Sequence, residues 1–458
     1  MNEVSLQLDT RYVRDERLGD HGLTEEQIGQ LTPRTAEILQ EIATERKQGQ
    51  HRFRDLPHEK PQLDEIKQIV EDYRDSTDNL IVLGIGGSAL GNIAVQSALN
   101  PLTYNLLPNH QRRGPRLFVL DNVDPVYFEA VMQLVEDQWD RTLVNVISKS
   151  GETAETSAQF LIVRDRLIKA LDEEEARKRF VVTTDASKGT MREIVDREGY
   201  RSLTVPEGVG GRFSVLSPVG LLSAAFCGID LDTLLAGAAA MDEAVSNPDP
   251  QANPAATLAM IHHLYMQRSK RIHVMMPYSQ QLRDMADWYR QIWAESLGKI
   301  RPADKVCVGP TPIKALGATD QHSQVQLYRE GPNDKVFTFL EVNEFDCDTI
   351  IPMAFEGVEA MEYLGRSDEG TLGGLLSAEK RATELALLAS QRPSLTIRFP
   401  QINERSVGEF IYLYESVIPI MGKLMAINPY DQPAVELGKL LTFHFMGRKG
   451  FEKSPMEG

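Results

Sequence analysis

The sequence predicts an α/β protein of two units of similar size, each a mainly parallel sheet flanked by helices. Three observations carry this. Short apolar runs alternate with longer helical patterns along most of the chain. At 458 residues, the chain exceeds what one hydrophobic core ordinarily serves. A run of turn chemistry, Asn247-Pro248-Asp249-Pro250 and then Asn253-Pro254, divides the alternation into two series.

Residues 1–60 are charged and mostly helical in pattern, and form an N-terminal extension. Thr24-Glu25-Glu26-Gln27 is a capping box ahead of Ile28 and Leu31. His51 to Gln62, with Pro57 and Pro61, reads as a connector. The first unit, 61–245, has candidate strands at Leu80–Gly84, Leu117–Leu120, Leu143–Ile147, Phe180–Thr184 and Ser202–Val205. The second, 246–430, has them at Ile272–Met276, Val336–Glu341 and Leu395–Phe399. Helices are expected near Val407–Ala426 and Pro433–Phe445, so 431–458 is a C-terminal helix with a frayed tail from Lys453.

A formal charge of −17 argues against a general nucleic-acid or anionic-membrane surface. An anionic substrate would have to be caught by local basic groups. Cys227, Cys307 and Cys347 lie far apart without a metal-ligand pattern, which points to a reducing compartment and no structural zinc. No secretory leader and no membrane-length apolar run is expected, and the acidic composition hints at the cytoplasm.

Six motifs carry chemistry. Gly84-Ile85-Gly86-Gly87-Ser88 follows a strand, where glycines let backbone N–H groups approach a ligand. It loosely matches a dinucleotide fingerprint, but the acidic residue due about 20 positions on is late, at Asp121. A phosphate or sugar contact at Gly87 and Ser88 fits better. Ser148-Lys149-Ser150-Gly151-Glu152-Thr153 also follows a strand. Its hydroxyls, backbone N–H groups, helix N-terminus and lysine suit a phosphate, although a plain helix cap at Ser150 fits the same residues. In Gly208-Val209-Gly210-Gly211-Arg212-Phe213-Ser214, Arg212 is either an oxyanion stabiliser or a loop arginine in a surface ion pair.

Gln291, Glu295 and Lys299 recur at i, i+4 and i+8 and share a helical face. Glu295 could be a partly desolvated base or half of an exposed ion pair with Lys299. His322, in Gly317-Ala318-Thr319-Asp320-Gln321-His322-Ser323, is an acid/base near neutral pH or a hydrogen-bonded turn residue. The sixth motif is Asp431-Gln432-Pro433-Ala434-Val435-Glu436-Leu437-Gly438-Lys439. Gln432 and Lys439 there stand seven apart, on one helical face, which is often only a solvated stripe. His262-His263 reads as structural, not as a metal pair.

Taken in order, these motifs resemble the phosphoglucose isomerase family in its shorter bacterial form, from about Leu80 to Lys439. The resemblance implies two sugar-isomerase domains and reversible isomerisation of glucose 6-phosphate and fructose 6-phosphate, in glycolysis and gluconeogenesis, with no cofactor and no metal. Ser148, Lys149, Ser150 and Thr153 match the phosphate site, and Gly87, Ser88, Gly211, Gln291 and Gln432 match other substrate ligands. Glu295 matches the base that moves a proton between C1 and C2, and Arg212 the residue facing the cis-enediolate. His322 matches the ring-opening acid/base, with Lys439 at the ring oxygen.

The family pattern further implies a homodimer in which His322 reaches the neighbouring subunit's site. Two departures stand beside matched residues. Pro433-Ala434 replaces Trp-Gly of the animal forms, and Ser150-Gly151 replaces Thr and an aromatic. A dual glucose/mannose isomerase and a non-catalytic sugar-phosphate-binding regulator are the alternatives. The regulator would not need Glu295, His322, Arg212 and Lys439 together.

Overall fold

The computed structural model describes residues 4–355, 357–365 and 370–456. Its strands are β1 (Gln7–Asp9), β2 (Asn79–Leu83), β3 (Arg116–Leu120), β4 (Thr142–Ile147), β5 (Phe180–Thr184), β6 (Arg201–Thr204), β7 (Ile272–Pro277), β8 (Lys299–Ile300), β9 (Cys307–Val308), β10 (Thr311–Lys314), β11 (Lys335–Val342) and β12 (Ser394–Phe399). The first sheet runs β3-β2-β4-β5-β6, parallel throughout. The second runs β1-β12-β11-β7-β10, parallel except for β1. β8 and β9 form a two-residue antiparallel ladder.

β2, β4 and β5 are buried at every position, as expected of parallel strands covered on both faces. This is why all eight strands expected from apolar runs are present, with ends shifted by one residue or so. The two edge strands of the second sheet were not expected. β10 is the short, half-exposed Thr-Pro-Ile-Lys, whose proline is tolerated at an edge. β1 makes the N-terminal extension more than helical, since it adds an antiparallel strand to the second sheet. Just ahead of it, the buried Glu409 carboxylate accepts from Ser5 N (2.9 Å), Ser5 Oγ (2.7 Å) and Leu6 N (3.0 Å).

The helix Glu404–Leu424 is buried along nearly its whole length. It crosses the helix Leu231–Val245 at close range. A Cβ at Gly408 would lie 2.0 Å from the Leu234 carbonyl, and one at Gly237 2.1 Å from that of Arg405. The N-terminal extension docks on this pair by charge. Asp242 accepts from Arg46 (2.8 Å), Arg54 (2.8 Å), Tyr412 (2.6 Å) and His58 (3.0 Å), which hold its carboxyl well below the usual range.

His262 is buried 4.5 Å, centroid to centroid, from His273, whose Nδ1 accepts from Trp293 (3.0 Å). Burial pushes His262 down to about 3, so the ring is a neutral core residue. All three cysteines are free thiols, Cys227 buried and the others exposed. Among the described residues, no helix is long and apolar enough to cross a membrane, and no cluster of three or more His, Cys, Asp or Glu could hold a metal ion.

Candidate active site

The strand order of the first sheet places a crevice. The chain passes from β2 to β3 on one side, then returns to β4 on the other. In open α/β sheets, ligands bind at such a switch point, beyond the carboxyl ends of the strands. The loops that leave these ends are Gly84–Ser88 after β2 and Ser148–Thr153 after β4. Gly208–Arg212 follows β6 and folds back onto them.

The glycine loops pack backbone against backbone. A Cβ at Gly87 would lie 2.4 Å from the Gly211 carbonyl carbon and 2.7 Å from Arg212 N. Any side chain there would push the arginine loop away. The Lys149 ammonium ties the third loop in, donating to the Val209 carbonyl at 3.2 Å. Thus three loops from three strands converge on one locus.

Arg212 is buried, with 4% of its side chain exposed, so it is not a surface ion-pair residue. Nε donates to Ser296 Oγ (2.7 Å), Nη1 to Gln432 Oε1 (2.9 Å), and Nη2 to the carbonyls of Pro429 (2.6 Å) and Asp431 (3.1 Å). Burial pulls its pKa down, while the charges of Glu295 and Asp431 oppose that shift. Its Nη1 lies 3.8 Å from Glu295 Oε2.

Glu295 sits on the last turn of the helix Arg283–Leu297, partly exposed toward the crevice. Gln291, one turn earlier, donates to Glu295 Oε2 at 3.2 Å. The Gln291 Oε1 atom is buried without a hydrogen-bond partner among the described residues. An acceptor left so inside a crevice suits a ligand hydroxyl. The Glu295–Lys299 ion pair is not formed. Lys299 Nζ instead donates to the Glu295 carbonyl (2.9 Å) and to the Asp431 carbonyl, with the Asp431 carboxylate 3.3 Å away. The Glu295 carboxylate therefore stays available.

In the Ser148–Thr153 loop, Ser148 is buried and its Oγ accepts from Gly151 N (3.1 Å). Ser150 does not cap the helix; it accepts from Glu152 N (3.1 Å) and is exposed with Lys149. Thr153 stands at the N-cap of the helix Ala154–Ala170 but makes no capping bond. The donors of that first turn thus remain open to an anion.

Two predicted residues are not brought to this cluster. His322 is exposed, in the turn after β10. Lys439 is exposed on the helix Glu436–Phe445 and bonds to Glu436 at 2.7 Å. Gln432 precedes a 3-10 turn, Pro433–Val435, so it does not share a helical face with Lys439 as its spacing suggested. Ser296, Lys299 and the Pro429 and Asp431 carbonyls are partners not expected from sequence. Ser296, Lys299 and Asp431 stand inside motifs already singled out; Pro429 has no such signal.

Residues 63–450 match the family model described as phosphoglucose isomerase. The chain belongs to the phosphoglucose isomerase family. It is 43% identical to the glucose-6-phosphate isomerase of Carboxydothermus hydrogenoformans, over 97% of this chain and 94% of that one. It is 42% identical to the enzyme of that name from Rubrobacter xylanophilus, over 94% and 96%. Among solved structures, a hypothetical protein from Thermus thermophilus superposes with a TM-score of 0.86 at 36% identity, covering 96% of this chain and 99% of that one. A glucose-6-phosphate isomerase from Chlamydia trachomatis shares the phosphoglucose isomerase fold, with a TM-score of 0.71 at 24% identity over 85% and 73%.

Proposed function

We propose that this chain interconverts glucose 6-phosphate and fructose 6-phosphate as part of glycolysis and gluconeogenesis. One observation carries the reading: a partly exposed carboxylate, Glu295, beside a buried arginine whose position is held by four hydrogen bonds. Moving a proton between two carbons next to a carbonyl needs a base and a fixed positive charge on the oxygens. Glu295 takes the proton from one carbon and returns it to the other. Arg212 stabilises the enediolate oxygens formed between the two steps. Gln291 and Gln432 orient the sugar, with the Gly87, Ser88 and Gly211 backbone against it. Ser148, Lys149, Ser150 and Thr153 hold the phosphate, whose binding energy aligns the distant carbons.

The substrate enters as a closed hemiacetal, so the anomeric hydroxyl must lose a proton and the ring oxygen must gain one. His322 and Lys439 are assigned to this step. His322 is exposed and makes no bond to the Glu295 cluster, which fits its donation to a neighbouring subunit's crevice in a homodimer. The two sheets are read as sugar-isomerase domains, 61–245 and 246–430, in a cytoplasmic protein.

The test is conversion of fructose 6-phosphate in a coupled assay after chelation of free metal. Turnover by wild type is expected, with kcat reduced about 10²–10⁴-fold in Glu295→Gln. Turnover that survives this substitution sinks the assigned base. A folded wild type that binds the sugar phosphate without turnover sinks the activity.

A further inference from the structure

Arg212 is held mainly by a segment far from its own loop. Three of its four hydrogen bonds go to residues 429–432: the Pro429 and Asp431 carbonyls and the Gln432 side chain. The Asp431 carbonyl also accepts from Lys299, two residues beyond the end of the Glu295 helix. Where this segment lies therefore sets where the guanidinium lies. Yet it is neither helix nor strand, and Asp431 is exposed.

Tyr430, between the two carbonyls, anchors it. Its ring packs against Phe213, the neighbour of Arg212, at a centroid distance of 5.3 Å. Its hydroxyl hydrogen-bonds Nδ1 of His51, a buried residue of the N-terminal extension. His51 Nε2 lies 2.8 Å from Glu45 Oε2, and Glu45 Oε1 accepts from Lys423 at 2.7 Å. A carboxylate only accepts, so Nε2 carries the hydrogen. In the neutral ring, Nδ1 then accepts and the tyrosine hydroxyl donates. Burial keeps both groups neutral, pushing the imidazole down and the phenol up, with Glu45, Arg54 and Lys423 the charged groups around His51. The chain of bonds is thus fully ordered from Lys423 to Tyr430.

We infer that Tyr430 and His51 are positioning residues for Arg212: the series Glu45–His51–Tyr430 latches the carbonyls of 429–431, and through them fixes the guanidinium. Neither residue is among the sugar or phosphate ligands proposed above. The inference rests on the enediolate role of Arg212 proposed above. Donors aimed at developing charge lose most of their effect when their position relaxes.

Tyr430→Phe keeps the ring on Phe213 and removes only the bond to His51. We expect kcat for fructose 6-phosphate to fall about tenfold with KM unchanged within about twofold. In an Arg212→Lys background, the same substitution should cost less than about twofold, because lysine cannot take the three acceptors in that geometry. Binding of a phosphorylated sugar acid, whose planar carboxylate imitates the enediolate, should weaken in parallel with kcat. An equal loss in both backgrounds, no loss at all, or a rise in KM alone overturns the latch. A wild type that neither turns over the sugar phosphate nor binds the acid overturns the isomerase reading, and the latch with it. A His51→Phe variant should match Tyr430→Phe, and the double variant should be no worse than either; an additive double variant also overturns the latch.

Discussion

Arg212 exposes 4% of its side chain and makes four hydrogen bonds, whereas Lys439 exposes 53% and, among the described residues, bonds only Glu436, three residues earlier. The same contrast separates Glu295 from His322. One pair sits where three loops, two helices and the 429–432 segment meet. The other pair lies on surface elements of the single chain. The lesson concerns rigidity. Stabilising an enediolate, the role proposed for Arg212, requires donors that do not move, and Arg212 is buried with four of its five N–H donors bonded and one Nη1 hydrogen left over. Opening a ring requires proton donors and acceptors that can meet a substrate already seated by its phosphate. Such groups can arrive from a neighbouring subunit.

The contrast breaks most visibly in a subunit-mixing experiment. Glu295→Gln and His322→Asn are each expected to be nearly inactive alone. Unfolded together and refolded as mixed dimers, they should recover about a quarter of wild-type activity, since half the dimers are hybrids with one intact site each. No recovery, with hybrids demonstrated, would place His322 in its own subunit's site.

A smaller effect is expected at the phosphate loop. Lys149 is exposed; in the proposed site it offers charge to the phosphate, besides its bond to the Val209 carbonyl. Lys149→Met should raise KM for fructose 6-phosphate about tenfold, with kcat reduced less, as for lost binding remote from the reacting carbons. Steady-state kinetics checks this, and a fall in kcat alone would remove Lys149 from the phosphate site.

A last test takes the comparison to stability. Arg212→Ala leaves the buried Ser296 hydroxyl and the Pro429 carbonyl without their partner, and should cost about 2–4 kcal/mol in urea unfolding. Lys439→Met removes one exposed ion pair and should change stability by less than about 0.5 kcal/mol. Equal losses would mean that Lys439 is structurally committed as well.

The parallel sheets were legible because strands covered on both faces must be continuous apolar runs; β2, β4 and β5 are buried at every position. β1 and β10 were not, because Gln-Leu-Asp and Thr-Pro-Ile-Lys are short, partly exposed and hold no apolar run. Gln291 and Glu295 were legible as a face, since one helical turn brings them together, and the 3.2 Å hydrogen bond follows. Of the two readings left open for Glu295, the ion pair with Lys299 is the one that does not form. The helix ends at Leu297, and beyond it Lys299 is free to reach Asp431. Gln432 and Lys439 were misplaced for the same reason, a helix that starts four residues later than their spacing assumes.

By itself, the sequence determined the two-sheet α/β architecture, the hydroxyl-rich and glycine loops at the strand ends, and the face shared by Gln291 and Glu295. These depend on local pattern: apolar periodicity, glycine where backbones must touch, and hydroxyls at a helix start. Only the tertiary structure decided that Arg212 is clamped by residues 429–432, that Lys299 leaves Glu295 free, and that a histidine at position 51 reaches a tyrosine at 430. Those contacts join segments up to 379 positions apart. Spacing along the chain holds no record of them, because they arise only when packing against the buried helix Glu404–Leu424 brings the segments together.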